Sequence, residues 1–236
     1  MMKKGSLVVI CSGRPYSGIY KYTKHFKNMP FICNNGASIY LKDKIIAKEI
    51  DLDIFFDFYQ KTKDMIYAFC DTVDIEMFTT DISRIPDFLI HKEIKGVKIN
   101  QGALNKILNK NLWLPNIWVY EKDIEEFTNI INRYNKYFSY RNWGLYDGLY
   151  SFELFSSKAS KEKAIIELAN LYNIDLDNVY AFGDAYNDES MLFSKEFKGI
   201  AMVNAKDELK EKAFDVTTKD YNHNGVIDYL KKHNIR

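Results

Sequence analysis

Residues 183–192, GDAYNDESML, set two carboxylates, Asp184 and Asp188, four positions apart, directly after the apolar run Val179–Phe182. A short apolar run followed by polar turn residues reads as a buried strand, so the acids stand where a strand ends and a helix begins. Carboxylates gathered at one strand end repel each other, and a divalent cation relieves that repulsion. Mg2+ takes one or two carboxylates and completes its octahedron with water and phosphate oxygens. The same two residues also read as a helix cap and a first-turn acid favoured by the helix dipole. Taken alone, the two readings weigh equally.

Two further polar clusters follow apolar runs in the same way. Ser12-Gly13-Arg14-Pro15 follows Leu7–Cys11, and Asn34-Asn35-Gly36-Ala37 follows Phe31–Cys33. Ser12 and Gly13 offer a hydroxyl and an unobstructed backbone N–H near a helix start, a combination that suits a phosphate oxygen. By itself that cluster reads first as an ordinary cap, with Ser12 as N-cap and Pro15 in the first turn. Asn35 and Asn187 have the parallel reading of turn asparagines.

The elements that position these clusters alternate. Leu7–Cys11, a helical segment at Tyr16–Lys27 and Phe31–Cys33 make one β-α-β unit. Later come a helix near 160–173 with Ala164, Ile165, Leu168, Ala169 and Tyr172 on one face, strand Val179–Phe182 and a helix near 187–194. Strand Gly199–Met202, a helix near 205–213 and strand Asp215–Thr217 complete the run. Short apolar strands between amphipathic helices imply a parallel sheet covered on both faces, and in such a sheet ligands collect beyond the carboxyl ends of the strands. All three polar clusters fall at those ends.

Residues 38–156 read differently. Strands are expected at Met65–Cys70, Asp74–Thr79, Ile94–Ile99, Asn116–Tyr120 and Tyr150–Leu154, with helices near 53–63, 102–110 and 122–135. The domain reading is therefore a core of residues 1–37 and 157–236 interrupted by an inserted α/β domain at 38–156. No internal repeat or low-complexity tract is present.

Composition narrows the class. The 236 residues carry 33 Lys plus Arg against 32 Asp plus Glu, so nothing in the overall charge favours nucleic acid or a membrane surface. Cys11, Cys33 and Cys70 are odd in number and have no CxxC spacing, which supports neither a disulfide framework nor a structural zinc site and fits a reducing cytoplasm. The N-terminal apolar run is too short for a signal core or a membrane span. The four histidines are scattered, and Trp113, Trp118 and Trp143 read as core aromatics.

Taken together and in order, the motifs resemble the haloacid dehalogenase-like phosphatases, in particular the Cof-type sugar-phosphate phosphatases with a large α/β cap. VVICSGRPYSG is similar to that family's second motif, CNNGASIY to the stretch leading into the cap, SKEKAIIEL to the third motif, and VYAFGDAYNDESML to the fourth. GIAMVNAKDELKEKAFDVTTKDYNHNGV resembles the family's ending. The resemblance implies a Rossmann-like parallel-sheet core with an inserted cap, Mg2+ as cofactor and a small phosphorylated metabolite as substrate. It further implies that Ser12 and Gly13 bind the phosphoryl group and that Lys161 neutralises its charge; Lys161 is preferred to Lys158 for its spacing to Ala164 and Ile165. Asp184 would ligate Mg2+, and Asp188 would hold a metal-bound water or orient the lysine. Asn35 and Asn187 would contact substrate or neighbouring groups, and Arg14 would support the site.

The same resemblance exposes a gap. Family members open on a strand ending in DxDG[TV], whose first Asp attacks phosphorus and whose second serves as acid and base. Here MMKKGSLVVIC resembles the stretch just before the second motif, so the first core strand and both aspartates are expected to be missing. Asp51-Leu52-Asp53 has the DxD spacing but follows Ala47-Lys48-Glu49 rather than an apolar run, and it reads as a helix start. Without that strand the sheet would be left open, with two rows of backbone groups unpaired. The expected function is thus Mg2+-dependent phosphate-ester hydrolysis through an aspartyl-phosphate, with this chain inactive by itself. The alternative is a non-catalytic relative that binds a phosphorylated metabolite or a partner. Homo-oligomerisation and a complementing chain stay open. DYNHNGVID at 220–228 imitates a calcium loop, but Lys231 stands where a bidentate Glu is required.

Overall fold

The computed structural model describes residues 5–14, 16–23, 26, 29–70, 75–79, 97–101 and 115–235. Two compact units divide them. The first comprises Met1–Gly13, His25–Ile46 and Ser160–Arg236, and the second comprises Arg14–Lys24 and Ala47–Ala159. Helix α1 (Tyr16–Thr23) therefore groups with the second unit.

The first unit holds two separate sheets. One has the order β1 (Ile10–Cys11), β2 (Phe31–Cys33), β3 (Ser38–Tyr40), β4 (Ile45–Ala47), with β1 and β2 parallel and β2 and β3 antiparallel. The other is wholly parallel, in the order β11 (Tyr180–Gly183), β12 (Lys198–Ala201), β13 (Asp215–Val216). Among the described residues no strand pairs with the outer edge of β1 or of β11.

Side chains hold these pieces together. Helix α4 (Lys161–Leu171) is capped by Ser160, whose hydroxyl accepts from the Lys163 amide at 3.1 Å. Its Ala164 and Leu168 pack on Ile32 and Ile39 of the first sheet, while Ile165 and Ile166 lie against the cluster of Ala181, Met191 and Phe197. Cys11 contacts both clusters. Apolar packing under the sheets thus bridges a break in the backbone ladder, which is non-directional and tolerates such a gap. Among its described residues the unit has three further helices, α5 (Glu189–Leu192), α6 (Asp207–Lys212) and α7 (Gly225–Lys232).

In the second unit a six-stranded sheet runs β7 (Val97–Gln101), β6 (Ile75–Thr79), β5 (Ile66–Cys70), β8 (Pro115–Tyr120), β10 (Leu149–Ser156), β9 (Phe138–Tyr146). Its neighbours are antiparallel except β6 and β7. Helices α2 (Leu52–Thr62) and α3 (Ile124–Ile131) contribute Phe55, Phe58, Phe127 and Ile131 to one core with Ile117, Val119, Phe152 and Leu154. Phe58 meets Phe127, Tyr134 and Phe138 edge-on, an arrangement that aromatic quadrupoles favour.

Several expectations shift. The strand expected at 94–99 is described from Val97 and runs on to Gln101, while residues 94–96 and the helix expected at 102–110 lie outside the described residues. The segment expected to be helical at 187–194 is a 3-10 turn, Tyr186–Asp188, followed by the single turn α5, because Asp188 turns its carboxylate back onto the preceding amides. The nine-residue β9 was not expected at all.

Candidate functional site

The loops after β1, β2 and β11 come together in the first unit. The Ser12 amide donates to Ile32 O at 2.8 Å, and the Asn35 amide donates to Ser12 O at 3.2 Å, which ties the loop after β1 to the turn after β2. A Cβ added to Gly13 would lie 2.8 Å from Asn35 Oδ1 and 3.1 Å from Asn187 Nδ2, so a larger residue here would displace these two amides. Asn187 Nδ2 donates to Asn35 Oδ1 at 3.4 Å, which joins the loop after β11 to the same point.

Asn34 and Asn35 take left-handed backbone conformations, φ 54° at each, a geometry asparagine tolerates better than most residues. Gly36, at φ 93°, passes so close to the Ser160 carbonyl that an added Cβ would lie 2.2 Å from its oxygen. The turn after β2 is thereby seated on the start of α4, where Lys161 is the first helical residue.

Lys161 and Asp188 form the centre. Both are buried, at 3% and 6% exposure, and Lys161 Nζ donates to Asp188 Oδ1 at 2.5 Å. Asp188 Oδ2 accepts from the amides of Asp184 and Ala185 at 3.0 and 3.1 Å. Both carboxylate oxygens are thus met by donors, as a buried charge requires. Gly183 makes room for this turn, since a Cβ there would sit 2.5 Å from Asp188 Cβ. Of the three ammonium hydrogens on Lys161, one is directed at Asp188. Lys158, by contrast, is exposed.

Asp184 faces the other way. It is half-buried, and its Oδ2 accepts from Asn204 Nδ2 at 2.9 Å. This partly accessible hard oxygen donor suits Mg2+, which is satisfied by one carboxylate when waters and phosphate oxygens fill the remaining positions. No group of three or more His, Cys, Asp or Glu able to hold a metal occurs among the described residues. The site therefore offers one outward carboxylate and not a dedicated all-protein cage.

Cys11 lies beneath the corner. Burial pushes its thiol up to about 12; Lys161 opposes that rise and Asp188 adds to it. Cys33 is also pushed up to about 12, by burial first and by Cys11 second. Neither is a nucleophile at neutral pH.

Arg14 directly follows Gly13 and is exposed. Asp51 caps α2, accepting from the amides of Asp53 and Ile54. The chain's other DxD stretch, Asp175-Leu176-Asp177, is likewise a turn cap, with Asp175 accepting from the Asp177 amide. Asp220 accepts from the amide of His223 in a 3-10 turn leading to α7, so 220–228 is a helix start. In the second unit a groove of about 720 Å3 is lined by Lys61, Lys122, Glu126 and Arg133 among others, none of them a sequence candidate. Asn204 was missed by sequence reasoning; its position just past a parallel strand, in the loop after β12, was the available signal.

Comparison with known proteins is consistent with this geometry. A profile of the haloacid dehalogenase-like hydrolase family matches residues 1–230. MG265 of Mycoplasma genitalium is 25% identical over 98% of this chain and 87% of its own length. The phosphatase YwpJ of Bacillus subtilis is 44% identical over 82 residues, 35% of this chain and 28% of YwpJ. Among solved structures, TM0651 of Thermotoga maritima aligns with a TM-score of 0.77 at 22% identity, covering 98% of this chain and 86% of that one. The subclass IIB sugar phosphatase BT4131 aligns with a TM-score of 0.69 at 20% identity, covering 100% and 88%. These structural likenesses give the fold, a Rossmann-like core with an α/β cap.

Proposed function

The chain belongs to the haloacid dehalogenase-like hydrolase family, and from that premise we propose that it is a Mg2+-dependent phosphatase of the sugar-phosphate type, acting on a small phosphorylated metabolite. The observation that carries the reading is the Lys161–Asp188 pair, placed among the loops of Gly13, Asn35 and Asn187 beside the outward carboxylate of Asp184.

In phosphoryl transfer charge spreads over three equatorial oxygens, and catalysis is mostly positioning and electrostatic stabilisation. Lys161 would meet one of those oxygens with the ammonium hydrogens not directed at Asp188. Asp188, held by two amides, keeps that ammonium aimed. The Ser12 hydroxyl and the Gly13 N–H would take a second oxygen. Asp184 would hold Mg2+, which supplies charge neutralisation at the phosphoryl group when bound. Asn35 and Asn187 would keep the loops in register.

The nucleophile is the missing part. No DxDG stretch occurs in these 236 residues, and both DxD stretches present cap turns or helices. We therefore propose that these residues by themselves turn over no phosphate ester, and that the attacking carboxylate belongs on a strand between β1 and β11, at whose outer edges no strand pairs among the described residues. The same gap favours a second reading, a binder of phosphorylated metabolites without catalysis.

Calorimetric titration with a hexose phosphate tests the corner. Binding that strengthens with Mg2+ and is lost in Asp184→Asn and Ser12→Ala supports the site. Binding unaffected by both substitutions would remove it.

A further inference from the structure

The loop after β12 carries a device that the phosphate reading does not use. Met202 donates its amide to Gly183 O at 2.8 Å, which fixes the start of the loop to the end of β11. The Val203 amide donates to Thr217 Oγ1 at 3.0 Å, and the Thr217 hydroxyl donates in turn to Lys219 O at 2.7 Å. Thr217 is only 2% exposed, so this amide–hydroxyl–carbonyl relay is a buried, directional anchor at the end of β13. Asn204 follows Val203 on a turn held from both sides, and its Nδ2 donates to Asp184 Oδ2 at 2.9 Å.

We propose that Asn204 is a positioning residue for the divalent cation at Asp184, and that the Thr217 hydroxyl positions Asn204. The inference rests on the proposed role of Asp184. Its chemistry is specific. A carboxylate that offers one oxygen to a cation is oriented when its other oxygen is fixed by a donor, and a neutral donor leaves its charge unopposed. A Lys or Arg in place of Asn204 would pair with Asp184 and repel Mg2+; an amide orients the carboxylate and leaves its full charge available. The Asn204 amide oxygen also retains lone pairs able to accept from a metal-bound water. Asn204 is exposed, and a hydrogen bond made at the surface adds little to folding, so its geometry is better explained by what Asp184 holds.

The experiment uses Mn2+ as probe, counted by its electron paramagnetic resonance signal up to millimolar concentration, with melting curves recorded in the absence of metal. The chain should bind Mn2+, and Asp184→Asn should abolish that binding. Asn204→Ala should weaken it by about ten-fold, in the range typical of groups that orient a metal ligand, with an unchanged metal-free melt. Thr217→Ser should bind as the parent does, and Thr217→Val should weaken binding in the same direction as Asn204→Ala. Parent-like Mn2+ binding in Asn204→Ala, with binding lost in Asp184→Asn, would overturn the inference while leaving the metal reading intact. Equal binding by the parent and Asp184→Asn would overturn the metal reading, and the role of Asn204 with it.

Discussion

The buried Lys161–Asp188 pair gives the sharpest stability prediction. In Asp188→Ala the Lys161 ammonium, 3% exposed, loses its salt-bridge partner, and the amides of Asp184 and Ala185 lose a charged acceptor. Leaving one member of a buried pair uncompensated destabilises by about 3–5 kcal/mol. The two orphaned amides add to that without summing fully, giving a total of about 5 kcal/mol. Lys161→Met is milder, about 3 kcal/mol, because Asp188 keeps both amide donors. The double variant Lys161→Met/Asp188→Ala carries no buried unpaired charge, so it should lose about 3 kcal/mol, far less than the sum of the singles. Urea denaturation measures this, but the readout must follow the first unit. Trp118 and Trp143 belong to the second, and Trp113 lies outside the described residues. Hydrogen exchange of peptides from 160–236 across the urea series reports the relevant unfolding. If the single effects add to within about 0.5 kcal/mol, or if Asp188→Ala behaves like a surface change, the argument for a coupled buried pair is wrong.

Other predictions address the loops and thiols. Gly36→Ala places a Cβ at φ 93° and 2.2 Å from Ser160 O, so it should destabilise the first unit by about 3 kcal/mol in the same exchange assay. Gly183→Ala should displace Asp188 and lower phosphate binding more than it lowers the second unit's melt, read by tryptophan fluorescence. Cys11 and Cys33, whose thiols burial pushes up to about 12, stay almost wholly protonated at pH 8.5; iodoacetamide should label both only as fast as the unit opens, read per cysteine by mass spectrometry. Because burial disfavours their thiolates, the folded state keeps these protons while the unfolded chain releases them. The stability they contribute is complete below pH 9 and is lost as pH rises towards 12.

The parts of this fold legible in the sequence are those where one local signal dominates. Val179–Phe182 and the face of Ala164, Ile165 and Leu168 are short, strongly apolar and clearly bounded, and the structure places them at β11 and α4. Strand β9 escaped because Arg141, Asn142 and Gly144 break its apolar alternation. The signal that would have found it is Asp147-Gly148, whose φ values of 50° and 76° make the tight hairpin to β10. Strand β3 escaped because three residues give no period to read; it is fixed by pairing with β2, a tertiary contact. The site divides in the same way. Ser12, Gly13, Asn35, Asp184, Asn187 and Asp188 announce themselves by type at strand ends, whereas Lys161, at a helix start, came only from the family resemblance. The inward turn of Asp188, the outward turn of Asp184 and the hold of Asn204 depend on rotamers and on a loop anchored from another strand, which spacing alone does not encode.

The central claim is that these residues carry the phosphate-binding and metal corner of a phosphatase but not its nucleophile. The direct measurement is turnover of an aryl phosphate with Mg2+ by the chain alone and by the chain given an N-terminal strand ending in DxDGT. The account predicts no turnover by the first and Mg2+-dependent turnover by the second, lost again in Asp184→Asn. Turnover by the unextended chain that Asp184→Asn abolishes would contradict it.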